Sequence, residues 1–445
     1  MADPVDCVHD WVVVEWMTGK MTSLQRFLAF LFVIVFLSAL TLSPALGSEQ
    51  LPWDVERIHS YCVWDNDNWN MTNWNTTAWD VDAGANAGQG VKVAIIDTGM
   101  DYSVDHGNVI YHPDLNDSLQ LGGMYGFKYD NGVVNVYDQP TDSYERQFIQ
   151  DLYPFPNRGH GTEVAGVIAA AINGMGIIGA APKVAIYSLK INSLPNDYAS
   201  EEEMAKAINY SVDDLHVQVI LISLGFTRDN QHLHTACDYT VTDTSTHAGA
   251  LLISAAGNDN TTTLGYPASY SSVIAVGALD HDDTRAPFSN FGPKLWFMAP
   301  GVDVNTTTLN GGYALVNGTS FAAPLVSATA ALVWSSKLDP NYGSYWNNAE
   351  VWLKMDDTAL DLGPPGKDNE TGWGLVNAWM ANQRPLADIN DDHKVDVADI
   401  FLVAKAYGST PGDWNWDPRA DINIDKKVDI IDILLVQKNY GKTDP

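Results

Sequence analysis

Cysteine is nearly missing from this sequence: Cys7, Cys62 and Cys237 are the only three in 445 residues. They lack zinc-site spacing and are too sparse for a disulfide framework, which excludes a small stapled scaffold. If the N-terminus is removed, Cys62 and Cys237 remain, and their pairing depends on whether the two Cα atoms come within bridging range. Positive charge is scarce as well. Only 24 Lys and Arg face 55 Asp and Glu, for a formal net charge of −31. Such a surface repels nucleic acid and anionic lipid, so neither is an expected partner. The acidity fits calcium binding, a salty habitat or plain solubility, and does not choose among them. Long apolar runs are also missing, with one exception at residues 27–46, FLAFLFVIVFLSALTLSPAL. Arg26 precedes it and Ala45-Leu46-Gly47 supplies small residues before Ser48. That anatomy reads as a secretory signal over residues 1–47, with Met21 the better start because the first 20 residues are acidic. An uncleaved membrane anchor is the alternative, since the run approaches spanning length. Without the segment no membrane contact is expected, and the location is outside the cell or on its surface.

What is present is a core. Hydrophobic residues make up 46% of the chain, which excludes wholesale disorder. Residues 48–90 are rich in Trp, Asn and Asp and have little periodicity, as an irregular extension would. From Val91 the texture changes. Apolar runs at 91–97 (VKVAIID), 184–191, 217–224, 250–257 and 272–279 suit buried parallel strands. Helical patterns lie between them at Glu163–Ala171, Ser200–Leu215 and about Cys237–Gly249. Strands alternating with helices predict an α/β fold, a parallel sheet with helices on both faces. Chemistry in such sheets gathers at the carboxyl ends of the strands, where Asp97 and Asn258 fall. Eight Asn-X-Ser/Thr triplets, at Asn70, Asn75, Asn116, Asn209, Asn260, Asn305, Asn317 and Asn369, suit an exported, glycosylated surface. Asn317 is the exception, too close to the candidate nucleophile. His232, His234 and Cys237 invite a metal reading but close no four-ligand site.

Three segments carry the chemistry: VAIIDTG at 93–99, HGTEVAG at 160–166 and GTSFAAP at 318–324. A serine hydroxyl is a poor nucleophile until an adjacent imidazole takes its proton, and the imidazole needs a carboxylate to hold its tautomer. Asp97, His160 and Ser320 are those residue types. Each alone would be bland: a turn Asp, a satisfied His, a helix cap. Together they resemble the Asp, His and Ser boxes of the subtilisin family, in that family's chain order. SLG at 223–225, AAGN at 255–258, GYP at 265–267 and APG at 299–301 extend the resemblance over 91–381. It implies a secreted serine endopeptidase acting on protein or peptide substrates, expected to be a monomer. It further implies Asn258 as oxyanion donor, Ser223, Leu224 and Gly225 as a strand that pairs with substrate, and Gly265 as floor of the primary pocket. Asp259, next to the oxyanion Asn, is expected at the pocket mouth, where it would favour basic residues. Pro324 is expected in the first turn of the serine helix, and Gly161 and Gly318 are expected to permit close backbone approach.

Glu163 and Leu325 stand where many members have histidine, which bears on substrate preference. Many members also carry a folded pro-domain, for which the 43 residues of 48–90 leave little room. A family calcium site is implied at Asp114 and Asn173, with carbonyls of Ala171, Met175 and Ile177.

After a short linker at 382–386, residues 387–408 and 420–441 repeat with an offset of 33. Each copy reads D-x-N-x-D-x-x-V-D-x-x-D before an apolar helix. The oxygens fall at Asp388, Asn390, Asp392, Asp396 and Asp399, with the Lys394 carbonyl. In the second copy they fall at Asp421, Asn423, Asp425, Asp429 and Asp432, with the Lys427 carbonyl. That is the EF-hand scheme for Ca2+. The paired loop-helix units resemble a dockerin, a small all-α calcium-loop-helix module over 387–445. His393 and Lys426 replace the usual glycine of the loop. The resemblance implies a cohesin-like domain as partner, although Val397-Ala398 and Ile430-Ile431 replace the polar recognition pairs of many dockerins. Ile400, Val403 and Tyr407 with Ile433, Val436 and Tyr440 are expected to pack the two helices together. The rival reading of the whole chain is a non-catalytic scaffold displayed through the calcium module. An intact set of Asp97, His160, Ser320 and Asn258 argues against it.

Overall fold

In a computed structural model the described residues are 51–58, 60, 87–105, 108–130, 132–138, 159–191, 199–242, 249–336, 347–364, 366–382, 387, 389–390, 394–410, 413, 415–417, 420–422 and 427–441. The secretory segment, Cys7, Cys62, Asn70, Asn75, Asp388, Asp392, Asn423 and Asp425 lie outside them.

The centre is an eight-stranded sheet in the order β10-β9-β8-β7-β1-β6-β4-β5. Its strands are β1 (Lys92–Asp97), β4 (Gly123–Asp130), β5 (Val133–Asp138), β6 (Ala185–Lys190), β7 (Val219–Ile222), β8 (Leu251–Ala255), β9 (Val273–Leu279) and β10 (Leu295–Pro300). All neighbours run parallel except β4 and β5, an antiparallel hairpin at one edge. Two small antiparallel pairs stand apart, β2 (Tyr102–Asp105) with β3 (Asn108–Tyr111), and β11 (Val304–Thr308) with β12 (Gly312–Val316).

The continuous apolar runs become strands buried on both faces because successive side chains alternate sides. In β1, Val93 and Ile95 join one core while Ala94 and Ile96 join the other. In β7, Val219 and Leu221 divide from Ile220 and Ile222 in the same way. The first core is covered by α3 (His160–Ala169) and α6 (Thr319–Ser335). The second is covered by α4 (Glu201–Asp213) and α5 (Gln231–Thr240). Helices on both faces are therefore present. Ser200 starts α4 with a capping box to Glu203, so that helix begins where its sequence places it. The helix expected near Cys237–Gly249 instead spans Gln231–Thr240. Its start is set by the Asn230 side chain, which accepts from the His232 and Leu233 N–H groups.

Around this body lie α1 (Trp53–Arg57), α2 (Asn116–Leu121), α7 (Asn348–Thr358) and α8 (Ala378–Asn382). The α1 segment is anchored at several points. Val55 and Ile58 enter the first core, Arg57 pairs with Asp283 at 2.5 Å, and the Trp53 ring stacks on His281 with centroids 3.9 Å apart.

The C-terminal region holds α9 (Val397–Ala406) and α10 (Ile430–Asn439), related by a pseudo-two-fold. The Gly408 N–H donates to the Val428 carbonyl (2.7 Å) while the Gly441 N–H donates to the Val395 carbonyl (2.8 Å), the same bond exchanged between the two copies. Val403 and Val436 are buried and Ile400 and Ile433 pack against them, as their spacing implies. Tyr407 and Tyr440 do not pack between the helices: they are 50% and 55% exposed. Each sits at its helix C-cap with extended backbone, so the helical periodicity that would aim it inward has already ended. Among the described residues no helix is long and apolar enough to cross a membrane.

Candidate active site

Asp97 is the last residue of β1, and its side chain points to the α3/α6 face of the sheet by the alternation set in Val93 and Ile95. It is buried, and its Oδ1 accepts from the Thr98 N–H at 2.7 Å. His160 is the first residue of α3 and places Nδ1 2.8 Å from the same Oδ1. What brings helix and strand so close is Gly161. A Cβ there would fall 2.2 Å from the Gly99 carbonyl oxygen, so no other residue fits. The Thr98 hydroxyl then accepts from the Gly161 N–H at 3.0 Å, tying the Asp97 turn to the start of α3.

Ser320 lies in the first turn of α6, on the same face of the sheet. Gly318 caps that helix at φ 153°, a backbone state that side chains rarely adopt, while its nearest neighbour atom lies 3.5 Å from a built Cβ. Close approach is thus the reason for Gly161, and backbone conformation the reason for Gly318. Pro324 is not in the first turn but inside the helix. It has no N–H for the Ser320 carbonyl four residues back. That carbonyl instead accepts from the Ser223 hydroxyl at 3.1 Å, and the Ser320 hydroxyl donates to the Ser223 carbonyl at 3.3 Å. The missing bond of the proline thereby joins the serine to the carboxyl end of β7.

Asn258 follows β8 and is exposed. Its Oδ1 accepts from both the backbone N–H and the hydroxyl of Thr319, each at 2.9 Å, and the Gly257 N–H in turn donates to that hydroxyl at 3.1 Å. With its oxygen so occupied, the amide turns its nitrogen toward Gly318, where a built Cβ would lie 3.5 Å from Nδ2. Thr319 went unrecognised in the sequence reading, although it stands between the glycine and serine of the GTSFAAP segment.

The proposed substrate-binding residues gather at the same sheet edge. Ser223, Leu224 and Gly225 continue β7, and Phe226 is bridged to Tyr266 by two 2.8 Å backbone bonds. Gly265 is packed against this bridge: a Cβ there would sit 3.1 Å from the Phe226 carbonyl oxygen. Asp259 is exposed beside Asn258, its N–H held by Asn290 at 2.9 Å.

Past the end of α3, where the Ala171 N–H donates to its carbonyl at 2.8 Å, Asp114 is fully buried in the short turn Pro113–Leu115. It accepts from Asn173 Nδ2 (3.0 Å), the Ile177 N–H (3.2 Å) and the Tyr313 hydroxyl (2.8 Å). Burial first, then Asp114, pushes the Tyr313 phenol above its ordinary range, so it stays a donor. The named donors are neutral, so a buried carboxylate among oxygen-rich loops fits a hard cation. Tyr313 was also missed, because it comes from β12, almost 200 residues away. His232 pairs with Glu202 and His234 with Asp238, and among the described residues these two form no metal-holding group with Cys237. Cys237 is buried within α5, which pushes its thiol above the ordinary range.

In the C-terminal region Asp399 and Asp432 are fully buried at the N-terminal turns of α9 and α10. Asp399 accepts from Ile389 and Asp396 N–H groups (2.7 and 2.8 Å), and Asp432 from Ile422 and Asp429 (2.7 and 2.8 Å). Asp396 and Asp429 cap the two helices, and Asn390, Lys394, Asp421 and Lys427 belong to the loops in front of them. Two buried carboxylates held by backbone N–H groups, at the heads of duplicated acidic loops, also fit calcium.

The subtilase family pattern matches residues 88–374, and the dockerin type I domain pattern matches 386–441. The chain is a subtilase. It is 35% identical to a thermostable alkaline protease of Halalkalibacterium halodurans over 66% of this chain and 68% of that one. It is 34% identical to a subtilisin of Bacillus pumilus and 33% to subtilisin Savinase of Lederbergia lenta, each over 66% of this chain and 92% of the relative. This subtilase is a serine endopeptidase with a C-terminal dockerin domain.

Proposed function

We propose that Asp97, His160 and Ser320 form the catalytic triad of this endopeptidase, with Asn258 and the Ser320 N–H as the oxyanion hole. The observation that carries the reading is the 2.8 Å contact between His160 Nδ1 and buried Asp97, with the His160 ring 5.7 Å from that of Phe321, the residue after Ser320. The Ser320 oxygen attacks the peptide carbonyl and its proton passes to His160, whose imidazolium is held by Asp97. The oxyanion is met by N–H donors already in place, so little reorganisation accompanies the step. His160 then protonates the leaving amine as the acyl-enzyme forms, and water reverses the sequence to release the acid. At 3.3 Å the resting Ser320–Ser223 bond is long for a hydroxyl donor, so little holds the nucleophile back.

Substrate would add a strand along Ser223-Leu224-Gly225 and seat a side chain between that segment and Gly265. Asp259 would sit at the mouth and favour basic residues. Calcium would be held by Asp114, Asn173 and neighbouring carbonyls. In the dockerin domain it would be held by the loops that carry Asn390, Asp396, Asp399, Asp421, Asp429 and Asp432. Bound there, it neutralises crowded carboxylates and rigidifies the loops. The reading includes export through the 1–47 segment, a 48–90 extension, a peptidase domain over 91–381, glycosylation at accessible triplets and attachment through a cohesin-like partner. The test is a serine-directed phosphonate on the exported protein. Ser320 should be the labelled residue, and Ser320→Ala should remove both labelling and peptide cleavage. Equal activity in wild type and variant, or a label elsewhere, overturns the assignment.

A further inference from the structure

The helix α8 stands between the two matched families, after residue 374 and before 386. It has only five residues, yet Ala378, Trp379, Met380 and Ala381 are all buried. A short surface helix would leave one side in water. This one divides its faces between two cores. Ala378 and Ala381, three apart and so on one face, belong to the peptidase core together with α6. Trp379 and Met380, on the remaining faces, belong to the core of the dockerin domain, among Ile389, Val395, Val403, Ile422, Val428 and Val436. The start of the helix is fixed on the peptidase side, where the Ala378 N–H donates to the Ile58 carbonyl at 2.8 Å, and Asn377 caps the helix itself by accepting from the Met380 N–H at 3.0 Å.

We propose that α8 is a shared element that welds the dockerin domain to the peptidase domain, so that calcium held by the dockerin loops stabilises the peptidase. A dockerin swinging freely on a tether would leave an indole and a thioether of the peptidase domain in water. Here those side chains complete the dockerin core, and anything that melts that core uncovers them. Calcium binds the folded loops and not the unfolded ones, so by linkage its binding free energy reaches every element whose burial depends on that core. The proposal rests on the calcium reading of the dockerin loops, and its test keeps the two apart.

The experiment uses the full chain with Ser320→Ala to prevent self-cleavage, in constant excess calcium so that any site at Asp114 stays filled. Asp399→Asn with Asp432→Asn weakens the dockerin sites at the loss of one backbone hydrogen bond each, and leaves the Asp396 and Asp429 caps on the Ala398 and Ile431 N–H groups in place. Hydrogen exchange during heating gives separate midpoints for α6, α8 and α9, and equilibrium dialysis counts bound calcium. The double variant should lose about two calcium ions and lower the α6 midpoint by about 5 °C. Trp379→Ala should lower it comparably, and combining the three changes should add little, because one joint carries both effects. If α9 melts early while the α6 midpoint stays in place, the weld is refuted. Full additivity also refutes it, since Trp379 would then be ordinary core. An unchanged calcium count overturns the loop reading itself and is told apart by the dialysis.

Discussion

At the scale of single residues, the site is built from side chains whose freedom has been removed by specific bonds. Asn258 shows this best. Thr319 occupies the amide oxygen twice, so the amide nitrogen is the end left for the proposed oxyanion contact. Asn258→Ala should therefore lower kcat far more than it raises KM, because the oxyanion exists only in the transition state. The matching donor in subtilisin sets the expected size, about 10²–10³-fold. Steady-state kinetics on a peptide substrate checks it, and a change confined to KM would remove Asn258 from the oxyanion hole. Asp54 shows the opposite case, a carboxylate with nothing to hold it. It is fully buried in α1 and neither oxygen has a hydrogen-bond partner. Burial pushes its pKa from 3.8 to about 7, against a smaller pull from the nearby backbone N–H groups of Asp54 and Asn305, which fall short of hydrogen-bond geometry. Between those two values the folded chain binds a proton that the unfolded chain has lost, so stability falls as pH rises across that window. The full cost is in place above about pH 7. Asp54→Asn should gain in thermal midpoint relative to its parent between pH 5 and pH 8, by several degrees in calorimetry. A difference that does not change with pH would show that Asp54 stays protonated or is paired.

Among the secondary elements, function depends on where helices are allowed to touch strands. The contact of α3 with the end of β1 is possible only because position 161 has no side chain. Gly161→Ala must displace either the Gly99 carbonyl or the start of α3, and His160 moves with that start. The expected result is a loss of kcat/KM of about 10²-fold or more at unchanged circular dichroism, since a misplacement near 1 Å is that costly. Activity within threefold of the parent would mean that the Asp97–His160 contact tolerates the shift. The pair β11–β12 does comparable work on the other side of α3. Thr306 and Thr307 hydroxyls donate to the Glu163 and Thr162 carbonyls at 2.5 and 2.7 Å, and the strand pair leads straight to Gly318. The helix that carries His160 is thus braced by the segment that delivers Ser320.

For the whole molecule, the formal net charge of −31 sets the field that an approaching peptide meets. A field of one sign raises the local concentration of oppositely charged substrate and is screened by salt. Two peptides with one scissile sequence but lysine-rich or glutamate-rich flanks should differ in kcat/KM on the order of tenfold at low ionic strength. The gap should close in concentrated salt. A ratio that ignores salt would trace the preference to a local contact, with Asp259 the first candidate.

By itself the sequence determined the sheet and its two covering layers, and it supplied the groups proposed to react. Alternation along a strand is local, and the three boxes keep their residues within a few positions of each strand end or helix start. The duplicated acidic loops were equally plain, since a repeat needs no tertiary context. Only the folded structure showed Thr319 orienting Asn258, Tyr313 on Asp114, and Pro324 freeing the Ser320 carbonyl for Ser223. Only it put Tyr407 and Tyr440 outside, where the helices end one residue before the periodicity would suggest. It also gave α8 two cores to serve. Each of these depends on which distant surfaces meet, or on where a hydrogen-bond ladder stops. Such contacts join residues far apart in the chain, as Tyr313 and Asp114 are at 199 positions, and hydrophobic period and spacing carry no record of them.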